Sequence, residues 1–175
     1  VFGMLVGILG IGTMTQINGI TAAVQNFFDP DKAQVAFHIG ENVYLDIINR
    51  SDKYLYIATP YLIVDTNITT AIKNAARRGV DVRIFIPEVP DKKAIYIMTR
   101  SACISLMSAG VKVYAFRNGF IHSKCFLSDG DTAVIGTINL DFRSLVHHFE
   151  CATLFFKNSV INDIYADFLY LIEHE

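Results

Sequence analysis

The sequence predicts a mixed α/β domain with a layered sheet flanked by helices, on three observations. Apolar segments of strand length, KYLYIATPY and VDVRIFIP, alternate with segments of helical periodicity. Gly79 and Gly110 each stand just past such a helical segment, where a chain stops in a left-handed conformation. A late turn signal, SDGD, separates two short apolar runs and reads as an antiparallel hairpin.

In chain order, GENVYLDIINRS places apolar residues at 43, 44, 47 and 48, the one-sided spacing of a helix. The strand KYLYIATPY follows and stops at Pro60. Asp65 and Thr66 are cap residues for a helix through NITTAIKNAARR, which Gly79 ends. VDVRIFIP is the next strand, so strand, helix and strand form a right-handed βαβ unit with parallel strands. A helix over 92–108 and the strand VKVYAF follow. The run around His122 to Leu127 is the first hairpin strand and TAVIG the second. A loop over 139–146, the strand CATLFF and a closing helix, SVINDIYADFLYLIEH, complete the domain.

Of the 175 residues 52% are hydrophobic and 18% charged, which excludes a disordered chain. The formal charge of −2 gives no global basic field for nucleic acid. Cys103, Cys125 and Cys151 lie far apart, without a CxxC pair, so reduced thiols are expected and zinc is not. Residues 1–36 stand apart. No charge occurs between Val1 and Phe28, and VFGMLVGILGIG is almost wholly apolar, yet five glycines and a run of polar residues weaken it as a spanning helix. It reads either as a membrane segment or as core belonging to a truncated neighbour, with DPDK as a linker and residues 37–175 as the folded unit. The first residue is not methionine, and a piece of a longer chain is expected.

The stretch GFIHSKCFLSDGDTAVIGTIN carries the chemistry. In a regular strand His122, Lys124 and Phe126 share one face and Ile121, Ser123, Cys125 and Leu127 the other, which puts imidazole and ammonium about 6.5 Å apart. Lysine on a core strand is costly unless paired or employed. A phosphodiester is attacked when positive charge meets its oxygens and a nucleophile lies in line with the leaving group. Lys124 supplies such charge, and the Asn139 amide a neutral donor. An imidazole can act as nucleophile or as proton donor, with no metal or other cofactor required.

His122, Lys124 and Asp129 form HxKxxxxD, and Gly136, Thr137 and Asn139 the GTxN that follows it; together they resemble the phospholipase D superfamily. Over residues 40–170, TPYLIVD, NAARRGVDVRIFIP, SAGVKVYAF and NLDFRSLVHHFE are similar to the carboxy-terminal half of a bacterial cardiolipin synthase. The resemblance implies a phospholipase D-like half-domain with His122, Lys124, Asp129 and Asn139 as catalytic residues and Glu150 as the carboxylate that orients the imidazole. Asp129 has an equal claim to a structural role in its turn. Glu150 is otherwise a rim charge. Tyr61, at the carboxyl end of a strand, and Gly136, Thr137 and Arg143 are the expected substrate-binding positions, Arg143 binding phosphate or pairing with Asp141. His147 and His148 read as a polar lip rather than metal ligands.

The superfamily site uses two motif copies, and this sequence has one. A second half of a longer polypeptide, or a homodimer partner across a two-fold axis, must supply the other. The implied reaction is phosphatidyl transfer through a phosphohistidine, making cardiolipin from two phosphatidylglycerols with release of glycerol at a bacterial cytoplasmic membrane. The alternatives are a phospholipase D-type hydrolase, a dimeric single-motif nuclease, or an inactive membrane-associated fragment. Phe, Tyr and Leu around the motif and the acidic balance argue against nucleic acid as a partner.

Overall fold

A computed structural model describes residues 39–174, apart from 90, 118 and 149. The expectations for residues 1–36 lie outside the described residues. Helix α1 (Ile39–Arg50) buries Tyr44, Ile47 and Ile48 and turns Asn42, Asp46, Asn49 and Arg50 outward, the amphipathic division its spacing predicts. Strand β1 (Tyr54–Ala58) follows, then a two-residue strand β2 (Leu62–Ile63). Helix α2 (Thr66–Arg77) is capped as expected: the Asp65 side chain accepts from the Ile68 N–H at 3.0 Å, and Gly79 leaves the helix at φ +96°. Strand β3 (Asp81–Pro87), helix α3 (Lys93–Met107) and strand β4 (Lys112–Phe116) complete a first, parallel half.

The second half runs mostly the other way. Strands β5 (Cys125–Ser128) and β6 (Thr132–Gly136) form the expected hairpin. Its turn residues Asp129 and Gly130 have φ of 54° and 77°, the paired positive values of a two-residue hairpin turn. A short β7 (Leu140–Asp141), a π-type turn (Arg143–His147), strand β8 (Ala152–Phe156) and helix α4 (Val160–Glu173) follow. The sheet order is β4-β3-β1-β5-β6-β8, with β1, β3 and β4 parallel and β5, β6 and β8 successively antiparallel.

Helices α1 to α3 cover one sheet face, where Leu55, Ile57, Ile84 and Phe126 meet Tyr44, Ile72 and Leu106. Helix α4 covers the other, through Ile161, Ile164 and Phe168 against Tyr56, Phe85 and Leu127. Phe126 stacks on Tyr44 with ring centroids 4.0 Å apart, so β5 is pinned to α1 at the centre of the sheet.

Two expectations need correction. The first hairpin strand starts at Cys125, so His122 and Lys124 lie in the irregular approach to it; the side-chain alternation still holds, with Ile121, Cys125 and Leu127 in one core layer and Phe126 in the other. The segment over 139–146 is not a plain loop, because β7 pairs in parallel with β2 through Leu62↔Leu140 and Ile63↔Asp141. Buried Thr59 ties the two regions: its Oγ1 donates to the Tyr61 carbonyl and accepts from the Leu140 N–H.

The Asp129 carboxylate accepts from the backbone N–H groups of Asp52, Lys53 and Tyr54 at 2.8 to 2.9 Å, fastening the hairpin turn to the start of β1. Burial pushes its pKa up, but these backbone donors outweigh burial and hold it below the ordinary aspartate value. A depressed folded pKa contributes stability above the unfolded value of about 3.9 and loses it as pH falls below. Asp129→Ala should therefore lower stability in urea by about 1 to 3 kcal/mol at neutral pH. The difference from the parent should narrow under acid, as equilibrium unfolding at a series of pH values would record.

Candidate active site

Because β1 and β6 end where β5 and β8 begin, four strand ends meet on one side of the sheet. His122 and Lys124 enter there ahead of β5, Gly136 and Thr137 leave β6, and Glu150 and Cys151 lead into β8. Tyr61 follows β1 at the same end, as expected of a crevice at strand carboxyl ends.

Lys124 is only 8% exposed, whereas His122 is exposed. The ammonium Nζ lies 2.9 Å from His122 Nδ1 and also donates to the His122 carbonyl. The two side chains thus touch rather than stand about 6.5 Å apart, since the segment bends before the strand begins. An ammonium only donates, so Nδ1 accepts and the neutral ring carries its proton on Nε2. Burial lowers the Lys124 pKa, opposed by the negative charges of Glu150 and Asp141.

His122 departs from the expected electrostatics. Partial burial and then the Lys124 charge lower its pKa, and Asp91 is the carboxylate that opposes them. Glu150 was expected to orient the imidazole. That carboxylate instead accepts from Thr137 Oγ1 and from Ser144 Oγ, the latter at 2.8 Å, and its Oε1 lies 3.8 Å from His148 Nδ1. Its negative charge acts on Lys124, and through Lys124 on the ring.

Ser144 joins the remaining parts. Its N–H donates to Asp141 Oδ1 at 2.8 Å, its hydroxyl donates to Glu150, and the same hydroxyl accepts from Asn139 Nδ2 at 3.2 Å. Asn139 Oδ1 is buried with no hydrogen-bond partner. Gly136 is placed where β6 meets β8, and a Cβ there would lie 2.3 Å from the Cys151 carbonyl oxygen, so only glycine fits. Thr137 donates its N–H to that carbonyl at 2.8 Å, and its hydroxyl accepts from the Cys151 N–H at 3.0 Å. Both residues expected to bind substrate are thus engaged in joining the two strands.

Arg143 is exposed and donates through Nε to His148 Nε2 at 2.7 Å rather than to Asp141. Tyr61 donates its hydroxyl to Asp91, a bond that pushes the phenol up to about 12. Asp129 is not brought to this cluster: its carboxylate is held beside Tyr54, at the far end of β1 and β5. A groove of about 630 Å³ between α1 and the β5–β6–β8 edge lies at that far end too. Asp91 and Ser144 belong to this cluster, and the sequence reading did not single them out. Neither belongs to the HxKxxxxD or GTxN pattern, although Asp141 three residues before Ser144 is the spacing of a side-chain-capped turn.

The strand ends of this mixed α/β sheet thus bring one histidine and one lysine into direct contact. The fold matches that of the phospholipase D family member Nuc from Salmonella typhimurium, with a TM-score of 0.64 at 19% identity over 77% of this chain and 85% of Nuc. It also matches phosphatidylserine synthase from Haemophilus influenzae, with a TM-score of 0.64 at 19% identity over 77% of this chain and 36% of that one. Residues 44–172 match the family described as cardiolipin synthase, PLD-like domain, and the chain belongs to that family. It is 38% identical over 138 residues to a cardiolipin synthase of Alkalihalophilus pseudofirmus, covering 79% of this chain and 27% of that protein. An uncharacterized protein of Streptococcus mutans is 52% identical over 130 residues, covering 74% and 28%. The chain spans about a quarter of the length of these curated relatives.

The opposing charges on His122 give a test with two signs. In ring-nitrogen NMR titrations His122 should titrate below the ordinary imidazole value of about 6.5. Lys124→Met should raise that midpoint and Asp91→Asn should lower it further; a midpoint unmoved by either change contradicts the geometry.

Proposed function

We propose that this chain supplies one of the two half-sites of a phosphatidyltransferase that makes cardiolipin from two phosphatidylglycerols. The carrying observation is the Lys124 ammonium held on His122 Nδ1 at the strand ends, with Asn139 linked through Ser144 to the Glu150 carboxylate whose charge acts on the lysine. In this reading the lysine balances charge on the phosphoryl oxygens, and the histidine exchanges a proton with the substrate oxygen. The second half-site comes from another part of a longer polypeptide or from a second copy of this chain, at a membrane.

The reaction divides into two displacements. A histidine of the partner half attacks phosphorus of the first phosphatidylglycerol, the phosphorus–oxygen bond to glycerol breaks, and His122 gives the departing oxygen its proton. A glycerol hydroxyl of the second phosphatidylglycerol then attacks the phosphohistidine, its proton passing back to His122, and cardiolipin and free enzyme result. Nε2 is the ring nitrogen not occupied by Lys124 and so the one offered to the substrate oxygen; giving up a proton there uses the imidazolium form, in which Nδ1 is protonated and released from the ammonium. Asp141 and Glu150 acting on the lysine and Asp91 on the histidine give the site a local balance unlike the basic groove of a nuclease. Water in place of the second lipid would give hydrolysis through the same intermediate.

In a polypeptide carrying both halves, His122→Ala should cut cardiolipin formation by roughly 10²- to 10⁴-fold, the usual worth of a positioned proton donor. A substrate whose leaving group needs no proton should still load phosphohistidine onto the partner half of the variant. Absence of any adduct assigns His122 as nucleophile instead, and unimpaired cardiolipin formation removes it from the mechanism.

A further inference from the structure

Among the described residues, helix α3 departs furthest from the rule that a surface helix turns polar residues outward; α4 does so less, through Val160, Leu169 and Tyr170. Helices α1 and α2 expose Asn42, Asp46, Asn67, Thr70 and Asn74. Helix α3 buries Thr99, Cys103 and Leu106 on one side, yet on the other exposes Ile97 (69%), Met98 (54%), Ile104 (70%) and Met107 (54%). By helical spacing Ala94, Ile97, Ser101, Ile104 and Ser108 lie in a line opposite the buried residues, flanked by the two methionines.

Along the helix itself the charges have one sign, although Glu88 acts on Arg100 from the end of β3 and Asp91 precedes Lys92. From Lys92 through Val111 there is no aspartate or glutamate, in a chain whose formal charge is −2. Lys92 and Lys93 stand exposed at the start of the helix, and Arg100 lies on the shoulder it shares with Met107. Lys73 reaches across the other shoulder from α2, its Nζ 2.7 Å from Ser105 Oγ. An apolar face bordered by lysine and arginine is the pattern of a helix lying in a lipid interface, with its cations extended to anionic headgroups. A second copy of the chain is disfavoured as the occupant, since two-fold pairing of this face would set cations against cations.

We infer that the outer face of α3, centred on Ile97 and Ile104 and rimmed by Lys73, Lys92, Lys93 and Arg100, docks on the surface of an anionic phospholipid bilayer. The inference deepens the phosphatidyl-transfer reading and rests on it for its purpose. The helix starts just beyond Asp91, whose carboxylate holds Tyr61 and faces His122 electrostatically. A helix lying in the interface therefore sets the mouth of the site at headgroup level, where the scissile phosphodiester of a bilayer lipid resides.

The chain contains no tryptophan, so a single introduced indole reports its own surroundings. Ile104→Trp places it on the proposed face, and Tyr170→Trp places a control on α4, across the sheet, where the tyrosine is 56% exposed. With the full chain and vesicles of phosphatidylcholine and phosphatidylglycerol, the Ile104→Trp emission should shift to the blue and be quenched by lipids brominated on their acyl chains. Pure phosphatidylcholine vesicles should shift it much less, and Tyr170→Trp should stay in water throughout. Adding Lys93→Glu and Arg100→Glu to the Ile104 probe should weaken the response several-fold.

Three results overturn the proposal: an Ile104 probe that stays in water while the chain floats with vesicles, equal quenching of both probes, or a concentration-dependent blue shift without lipid, which assigns the face to a second copy. Phosphatidyl transfer is measured separately, in detergent micelles, with a polypeptide carrying both halves. Transfer there with a water-exposed probe on vesicles defeats the docking alone. A quenched probe without any transfer defeats the functional reading and leaves the docking in place.

Discussion

The antiparallel pairing of β5 against β1 decides where everything else in the site can lie. Strands β1, β3 and β4 run in parallel, and the crevice of a parallel sheet is at its carboxyl ends. Had β5 also run parallel, the residues preceding it would sit at the opposite end. Because Ala58 faces Cys125 and Leu55 faces Ser128, the chain enters β5 where β1 departs, and His122 and Lys124 arrive beside Tyr61. The same reversal sends Asp129 to the far end, where it anchors the start of β1. Two ends of one short strand are thereby given separate duties: positioning charge at one and fastening the sheet at the other.

The buried ammonium shows how that placement is stabilised. A lysine nine-tenths enclosed is destabilising unless it is surrounded by acceptors. Here the acceptors are the His122 carbonyl and Nδ1, and the compensating charges are Glu150 and Asp141. Glu150 is in turn held by Thr137 and Ser144, so the carboxylate is fixed by two strands and a turn rather than by the imidazole. The histidine is left exposed with a lowered pKa, its Nδ1 on the ammonium and its Nε2 free of that contact.

Much of the fold was legible because its signals are local. Asp65 caps α2 and Gly79 ends it within the residues they touch, and Asp129-Gly130 sets the hairpin turn by its own backbone preference. The partition of Phe126 from Cys125 and Leu127 followed from strand alternation alone. What escaped depends on distant chain. Lys124 meets His122 because residues 121–124 precede the regular strand, and periodicity carries no record of where that strand begins. The β2–β7 pair needs residues 62 and 140 to meet, and Asp91 reaches the site only because α3 starts where β1 ends. Ser144 was hidden differently: its importance lies in taking one hydrogen bond and giving another, which no residue spacing reveals.

The strand order β4-β3-β1-β5-β6-β8 also fixes a sequence of events during synthesis. The first three strands of the large sheet to emerge from the ribosome, β1, β3 and β4, can form a parallel sheet with α2 and α3 on one face, but the inner edge of β1 then has no neighbour. That edge is closed only when residues 125–128 appear, well after β1 itself, and the second core layer waits longer still for α4. Translation is slow, at about 5 to 20 residues per second, against hairpin formation in microseconds. The nascent chain therefore spends seconds as a half-sheet with an open, apolar edge, and His122 is set in place only with the strand that closes it.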